Sequence, residues 1–422
     1  METSSVLPLA KILFVFVAML TGIKYRLGIG TSILGGSALA GLLFGIPAGQ
    51  WIIIAVKSLL DLKLILLAMI VVLIMILSRI MESTGQSKRL MSELSGLLRW
   101  PRFRLAFFPA LIGLLPMPGG AVFSAPMVKS AAVGQDLANE DKVLINYWFR
   151  HLWELIWPLY PGIILAAYLS GIPLVRLLGY TWPGLLICLV LGWFFYLLPL
   201  KIKAPENTDN ITRFETGKAF KESLPLIMAI AGSLSLEALV WSFGTSMHPE
   251  TGLVAGLFLA ITICSAQNRV SAMQTFAFLK EKRLWQMIFV VLAIFVFKGV
   301  LDEGGIVREI SGTITGPSAL IAAAAILPML VGLISGLTIA FVGATFPLIL
   351  GIVDQLGIQE RIPYVVLGLF SGYAGVMVSP IHICFLLTCE FFHTNVASVW
   401  PRLFLPSLIL FLCGLGYFFI LS

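Results

Sequence analysis

Residues 114–126 read LLPMPGGAVFSAP. Pro116, Pro118 and Pro126, with the adjacent glycines Gly119 and Gly120, fall inside a continuous apolar run. Proline removes a backbone donor and clashes with the preceding helical turn, and glycine weakens a helix interior. A helix must run for roughly 20 residues to cross about 30 Å of hydrocarbon. Residues 105–115 rise only about 16 Å before the breakers begin. About a dozen further apolar residues follow. The spacing predicts two half-length helices joined at mid-depth, a re-entrant hairpin over 105–133. A kinked full span is the competing reading.

The rest of the chain has the same character. Of 422 residues, 59% are hydrophobic and 12% charged, and mean hydropathy is +0.99. Soluble domains carry about twice that share of charge. The composition predicts an all-α polytopic membrane protein whose solvent is the lipid bilayer. The net charge of +7 does not point to nucleic acid, because the bases lie in short loops between apolar runs. No phosphate-binding glycine motif supports nucleotide chemistry. Cys188, Cys264, Cys384 and Cys413 sit inside apolar runs and Cys389 near the end of one, without a CxxC. They read as small apolar side chains rather than disulfides or metal ligands. The first apolar run lacks a basic leader and a cleavage site, so it reads as a retained helix.

Ten crossings can be drawn. Eight are plain, at 7–23, 28–49, 62–82, 174–199, 224–243, 251–266, 284–301 and 402–421. Two contain breakers, at 145–170 and 362–388. A second hairpin is predicted at 318–351. With the N-terminus outside, most of the 28 bases fall in loops on one side, which is the cytoplasmic pattern. The polar linker KIKAPENTDNITRFETGKAFKES at 201–223 carries Lys201, Lys203, Arg213, Lys218 and Lys221. A full crossing at 105–133 would turn that linker outward. The first hairpin is therefore expected to enter from the cytoplasm and the second from outside, with both termini outside. The amphipathic stretch SKRLMSELSGLLRWPRFR at 87–104 is expected to lie along the inner surface, its bases toward lipid phosphates.

The two halves resemble each other. RIMESTG at 79–85 matches GVLDEGG at 299–305, aligning Glu82 with Asp302 and Gly85 with Gly305. Pro126 then matches Pro347, and Pro158 matches Pro380, at nearly the same offset. Residues 1–200 and 224–422 each read as three helices, a hairpin, a broken helix and a helix. Five crossings per half is odd, so the second half enters inverted, the recurrent plan of secondary transporters.

This order resembles the ion transporter superfamily, which includes gluconate, citrate, dicarboxylate and arsenite permeases. LPMPGGAVFSAPMV is similar to the signature of an uncharacterised prokaryotic membrane family within it, and the resemblance covers most of the chain. It implies an elevator-type carrier of the cell membrane, usually a homodimer, holding substrate between two hairpin tips and two helix breaks. The tips differ from those of the dicarboxylate and citrate carriers: PMPGG and SGLT stand in place of Ser-Asn-Thr.

Broken backbone at mid-membrane must find partners or line a cavity. Four groups of candidate residues follow. The hairpin tips offer Pro116, Met117, Pro118, Gly119, Gly120 and Ser124, and opposite them Ser335, Gly336, Thr338, Gly343 and Thr345. The helix breaks, WPLYPG at 157–162 and SPIHI at 379–383, offer Pro158, Tyr160, Ser379, Pro380 and His382. The third group is Arg150, His151 and Glu154; Arg150 and Glu154 are spaced to pair on one helical face. The fourth is Glu82 after Arg79, mirrored by Asp302 after Lys298, where an interfacial ion pair is the plainer reading. Glu237 stands alone in an apolar run. Together these predict a secondary carrier of a small organic or inorganic anion, coupled to sodium or protons, with no other cofactor and no metal. The competing readings are an intramembrane metal-dependent enzyme built on His151 and Glu154, and a passive channel.

Overall fold

Gly85 and Gly305 both adopt left-handed backbone, at φ 71 and 70°. Each follows a 22-residue helix, Leu62–Ser83 and Lys282–Glu303, and each opens a short helix, Gln86–Ser95 and Ile306–Ser311. Left-handed backbone costs glycine nothing, which is why the two helices stop at matched points. These elements come from a computed structural model, which describes residues 3–95, 100–115, 120–202, 215–232, 235–236, 250–312 and 317–422.

The described residues are helical throughout, without strands. Among the described residues, eight helices are long and apolar enough to cross a membrane, including Leu7–Lys24, Leu64–Ser83, Leu174–Leu197, Lys282–Glu303 and, against the expected half-length arms of the second hairpin, Ser318–Ser335 and Thr338–Gln355. Shorter apolar helices accompany them at Ile29–Leu43, Ala48–Leu59, Pro161–Ser170 and Ile362–Met377. The chain is a polytopic helical membrane protein.

Two helix pairs turn back on themselves. Pro101–Gly113 packs on Ala121–Ala131, and Pro317–Ser335 packs on Thr338–Gln355. Two other helices are interrupted: Asn139–Arg150 resumes as Pro161–Ser170, and Ile362–Met377 resumes as Ile383–Phe391. These interrupted helices form the core. Every residue of Ile362–Met377 is buried, as is every residue from Val143 to Arg150. Buried on every side, these segments turn no face to lipid or water and sit inside the bundle. The pair Pro317–Ser335 and Ile362–Met377 meets backbone to backbone. A Cβ on Gly332 would lie 2.2 Å from the Gly372 carbonyl, and one on Gly375 would lie 2.1 Å from that of Met329. Inside a membrane, such small-residue contacts replace hydrophobic collapse as the source of packing energy.

Two boundaries differ from expectation. The span predicted at 28–49 ends at Leu43, because Gly45 turns left-handed and Pro47 follows. A separate helix then runs Ala48–Leu59, burying Ile54 and Ala55 while Ile52 and Ile53 stay exposed. The linker predicted at 201–223 becomes helical from Thr216.

Ion pairs and polar contacts join loops in two separate sets. Arg79 reaches Glu281, Arg89 reaches Glu222, and Arg402 reaches Asp141. In the other, Lys11 meets Glu309, Lys57 meets Glu303, and Arg361 meets Asp354. The first set belongs to the base-rich loops and the second to the base-poor ones.

Candidate functional site

The first break spans ten residues between Arg150 and Pro161. Pro158 and Pro161 forbid continuation, and Pro161 sits where a new helix tolerates proline. The second break, Val378 to His382, is shorter and contains Pro380. Each leaves carbonyls without their helical partners, and each is repaired from the opposite half. Tyr147 donates its hydroxyl to the carbonyls of Val376 and Met377, at 3.1 and 3.2 Å. From the same half, Trp400 donates its indole N–H to the Val378 carbonyl at 2.8 Å. Reciprocally, Tyr373 donates to the His151 carbonyl at 2.6 Å. Tyr147 and Tyr373 are fully buried, and sequence reasoning missed both. The available signal was a tyrosine within two turns of each break.

Arg150 ends its helix against the first hairpin. It donates to the Tyr160 hydroxyl at 2.9 Å and the Leu115 carbonyl at 3.2 Å. Tyr160 passes its own proton to the Gly113 carbonyl at 2.7 Å. The fit is close: a Cβ on Gly113 would lie 2.5 Å from the Arg150 carbonyl, and one on Gly120 would lie 2.7 Å from Nη2. A buried guanidinium thus stands beside the hairpin turn. The second hairpin reaches the same region from its own turn. Gly336 is left-handed, at φ 64°, and a side chain there would lie 2.9 Å from the His382 Cα. Thr338 donates to Glu154 Oε2 at 2.8 Å. Arg150 and Glu154 therefore do not pair along one helical face as their spacing predicted. The helix closes at Arg150, and the two charges bond different hairpins.

A cavity of about 100 Å³ lies between these elements. It holds several waters or a small ion. Arg150, His151, Glu154, Tyr160, Thr338 and His382 line it, with the thioethers of Met75 and Met287. Three helix starts open onto it, at Pro161, Thr338 and Ile383. None of the three carries a side-chain cap. Uncapped first turns present N–H donors and partial positive charge. The rings of His151 and His382 meet edge to face at 4.6 Å, and Tyr147 lies 4.9 and 5.3 Å from them. His151 Nδ1 lies 2.6 Å from the Tyr147 carbonyl. A carbonyl only accepts, so Nδ1 carries the proton and Nε2 keeps its lone pair.

Other candidates sit elsewhere. Pro116, Met117, Pro118, Gly119 and Glu237 lie outside the described residues. Ser124 is buried and bonds its own helix at Ala121. Gly343 packs on Ile294, and Thr345 bonds Phe341 within its helix. Neither lines the cavity. Ser335 closes the second hairpin turn onto Leu337. Ser379 is buried beside Gly336, and its hydroxyl has no partner among the described residues. Glu82 pairs with Arg79 at 3.0 Å and Asp302 with Lys298 at 2.8 Å, both away from the cavity. Cys384, read as a small apolar residue, lines the cavity beside His382.

No curated protein sequence matches the chain. A family model does match, from residue 3 to residue 420, and on that extent this helical membrane protein belongs to the family described as protein of unknown function DUF401.

Proposed function

We propose that this protein is an elevator-type secondary carrier of the cell membrane, moving a small anion in exchange for, or together with, sodium ions or protons. One observation carries the reading. Both helix breaks and the second hairpin turn open onto one buried cavity, and both halves of the chain supply its polar groups. Uncapped helix starts and the Arg150 guanidinium favour negative charge there. Glu154, tied to the second hairpin through Thr338, offers a place for a coupling cation or proton. In this reading the halves are inverted repeats of the ion transporter plan, with the first hairpin entering from the cytoplasm, the second from outside, and both termini outside. The two sets of loop ion pairs fit that arrangement. The working unit would be a homodimer. A channel needs a continuous pore, whereas the repeat of hairpins and broken helices fits alternating access around one site.

A thermal-shift screen tests the binding half of the proposal. Purified protein is heated with a panel of small carboxylates and inorganic oxyanions, with and without sodium and at several pH values. At least one anion raises the midpoint, and Arg150→Lys abolishes that shift, because lysine cannot reproduce the forked contacts. A panel without any shift counts against an anionic cargo.

A further inference from the structure

His151 stands at the first break, and His382 and Cys384 stand two residues apart where the second broken helix resumes. Yet their donor atoms all lie within 4.8 Å of one another, and all three residues are buried. The protonated Nδ1 of His151 leaves its Nε2 as a lone pair. His382 Nδ1 is buried with no hydrogen-bond partner among the described residues. An unpaired imidazole nitrogen away from water is costly unless something binds it. Met75 and Met287 add two thioethers to the same cavity wall.

We propose that His151, His382 and Cys384 form a transition-metal site, taking a soft or borderline ion of the zinc(II) or copper(I) type. Two imidazoles and a thiolate are the donor set such ions prefer over sodium, magnesium or calcium. Metal–ligand lengths of about 2.0–2.3 Å place donors roughly 3.5 Å apart, so closure draws them inward by about 1 Å. The thiolate is the binding form, so loading moves the Cys384 proton to solvent. Three protein ligands leave a fourth position, which opens onto the cavity that Thr338 and Glu154 line.

This inference concerns metal binding and is read without any flux measurement, so it stands or falls apart from the carrier proposal. The test uses tag-free full-length protein in detergent. Cobalt(II), as a zinc stand-in, is titrated while absorption is followed, zinc is added in competition, and copper(I) is titrated against a coloured chelator. The expected result is about one ion per chain with a thiolate-to-cobalt charge-transfer band. Cys384→Ser removes that band and weakens zinc binding about tenfold or more, and His382→Gln weakens it similarly. Both variants are checked for unchanged elution and helicity. Binding of neither cobalt, zinc nor copper(I) overturns the site. Binding that keeps its strength in both variants, or never shows the thiolate band, places the metal elsewhere and also overturns it.

Discussion

The two helix breaks do the same job with different chemistry. The first is ten residues wide, carries Arg150, His151 and Glu154, and is bolted to the first hairpin by Arg150, Tyr160 and the Trp153 indole on the Ala110 carbonyl. The second is short and holds no formal charge, only Ser379 and an imidazole whose Nδ1 has no hydrogen-bond partner among the described residues. The second hairpin touches both, through Thr338 to the first break and Gly336 to the second. The difference teaches a division of labour. One half supplies the charges and the fixed wall, while the other supplies close backbone approach and neutral donors. In the proposed carrier, the charges would select the cargo and the close backbone approach would shape its seat.

Substitutions can break this contrast, beginning with the strongest. Arg150→Met leaves the Leu115 carbonyl and the acceptor side of the Tyr160 hydroxyl poorly matched in a buried place. Thermal unfolding in detergent should show a loss of about 3 kcal/mol or more. On the second half, Gly336→Ala meets both a left-handed φ and the His382 backbone, and should cost about 1–3 kcal/mol. Gly45→Ala, also left-handed but with open space around it, should cost about 1 kcal/mol. Equal losses at the two glycines would show that the close approach to His382 is not tight.

The reciprocal tyrosines come next. Tyr147→Phe and Tyr373→Phe each strip donors from the far half's broken helix, and each should cost about 1–2 kcal/mol by the same assay. A loss at only one of them would mean that one break is repaired by other means. Smallest of all are Ser379→Ala and Lys298→Ala, each expected within about 0.5 kcal/mol of wild type. The Ser379 hydroxyl has no hydrogen bond among the described residues to lose, and Lys298 and Asp302 form a half-exposed pair at a helix end. A drop in anion affinity without a drop in stability for Ser379→Ala would mark that hydroxyl as a cargo contact.

The sequence showed where helices must stop, because proline and glycine act locally and their spacing can be compared with bilayer thickness. It therefore placed the breakers at 114–126, the breaks at Pro158 and Pro380, and the matched ends at Gly85 and Gly305. Three kinds of feature were not legible. The helix Ala48–Leu59 was hidden because Gly45 and Pro47 divide one apolar run into two without a change in composition. Partnerships across the halves were hidden because nothing local tells Tyr147 that its acceptors lie 229 and 230 residues away. The place of Cys384 in the cavity wall was hidden because a cysteine in an apolar run reads as packing until its neighbours are known. Arg150 and Glu154 misled in the opposite way. Their four-residue spacing implies a pair only if the helix continues, and it ends between them.

The central claim is that the cavity between the breaks holds a transported anion. The most direct measurement is uptake of a labelled anion panel into proteoliposomes, under imposed sodium or proton gradients, by wild type and by folded Arg150→Lys. The account predicts saturable uptake of at least one anion that collapses with the gradient and falls at least tenfold in the variant. Uptake that ignores the gradient, survives Arg150→Lys unchanged, or is absent for every anion would contradict it.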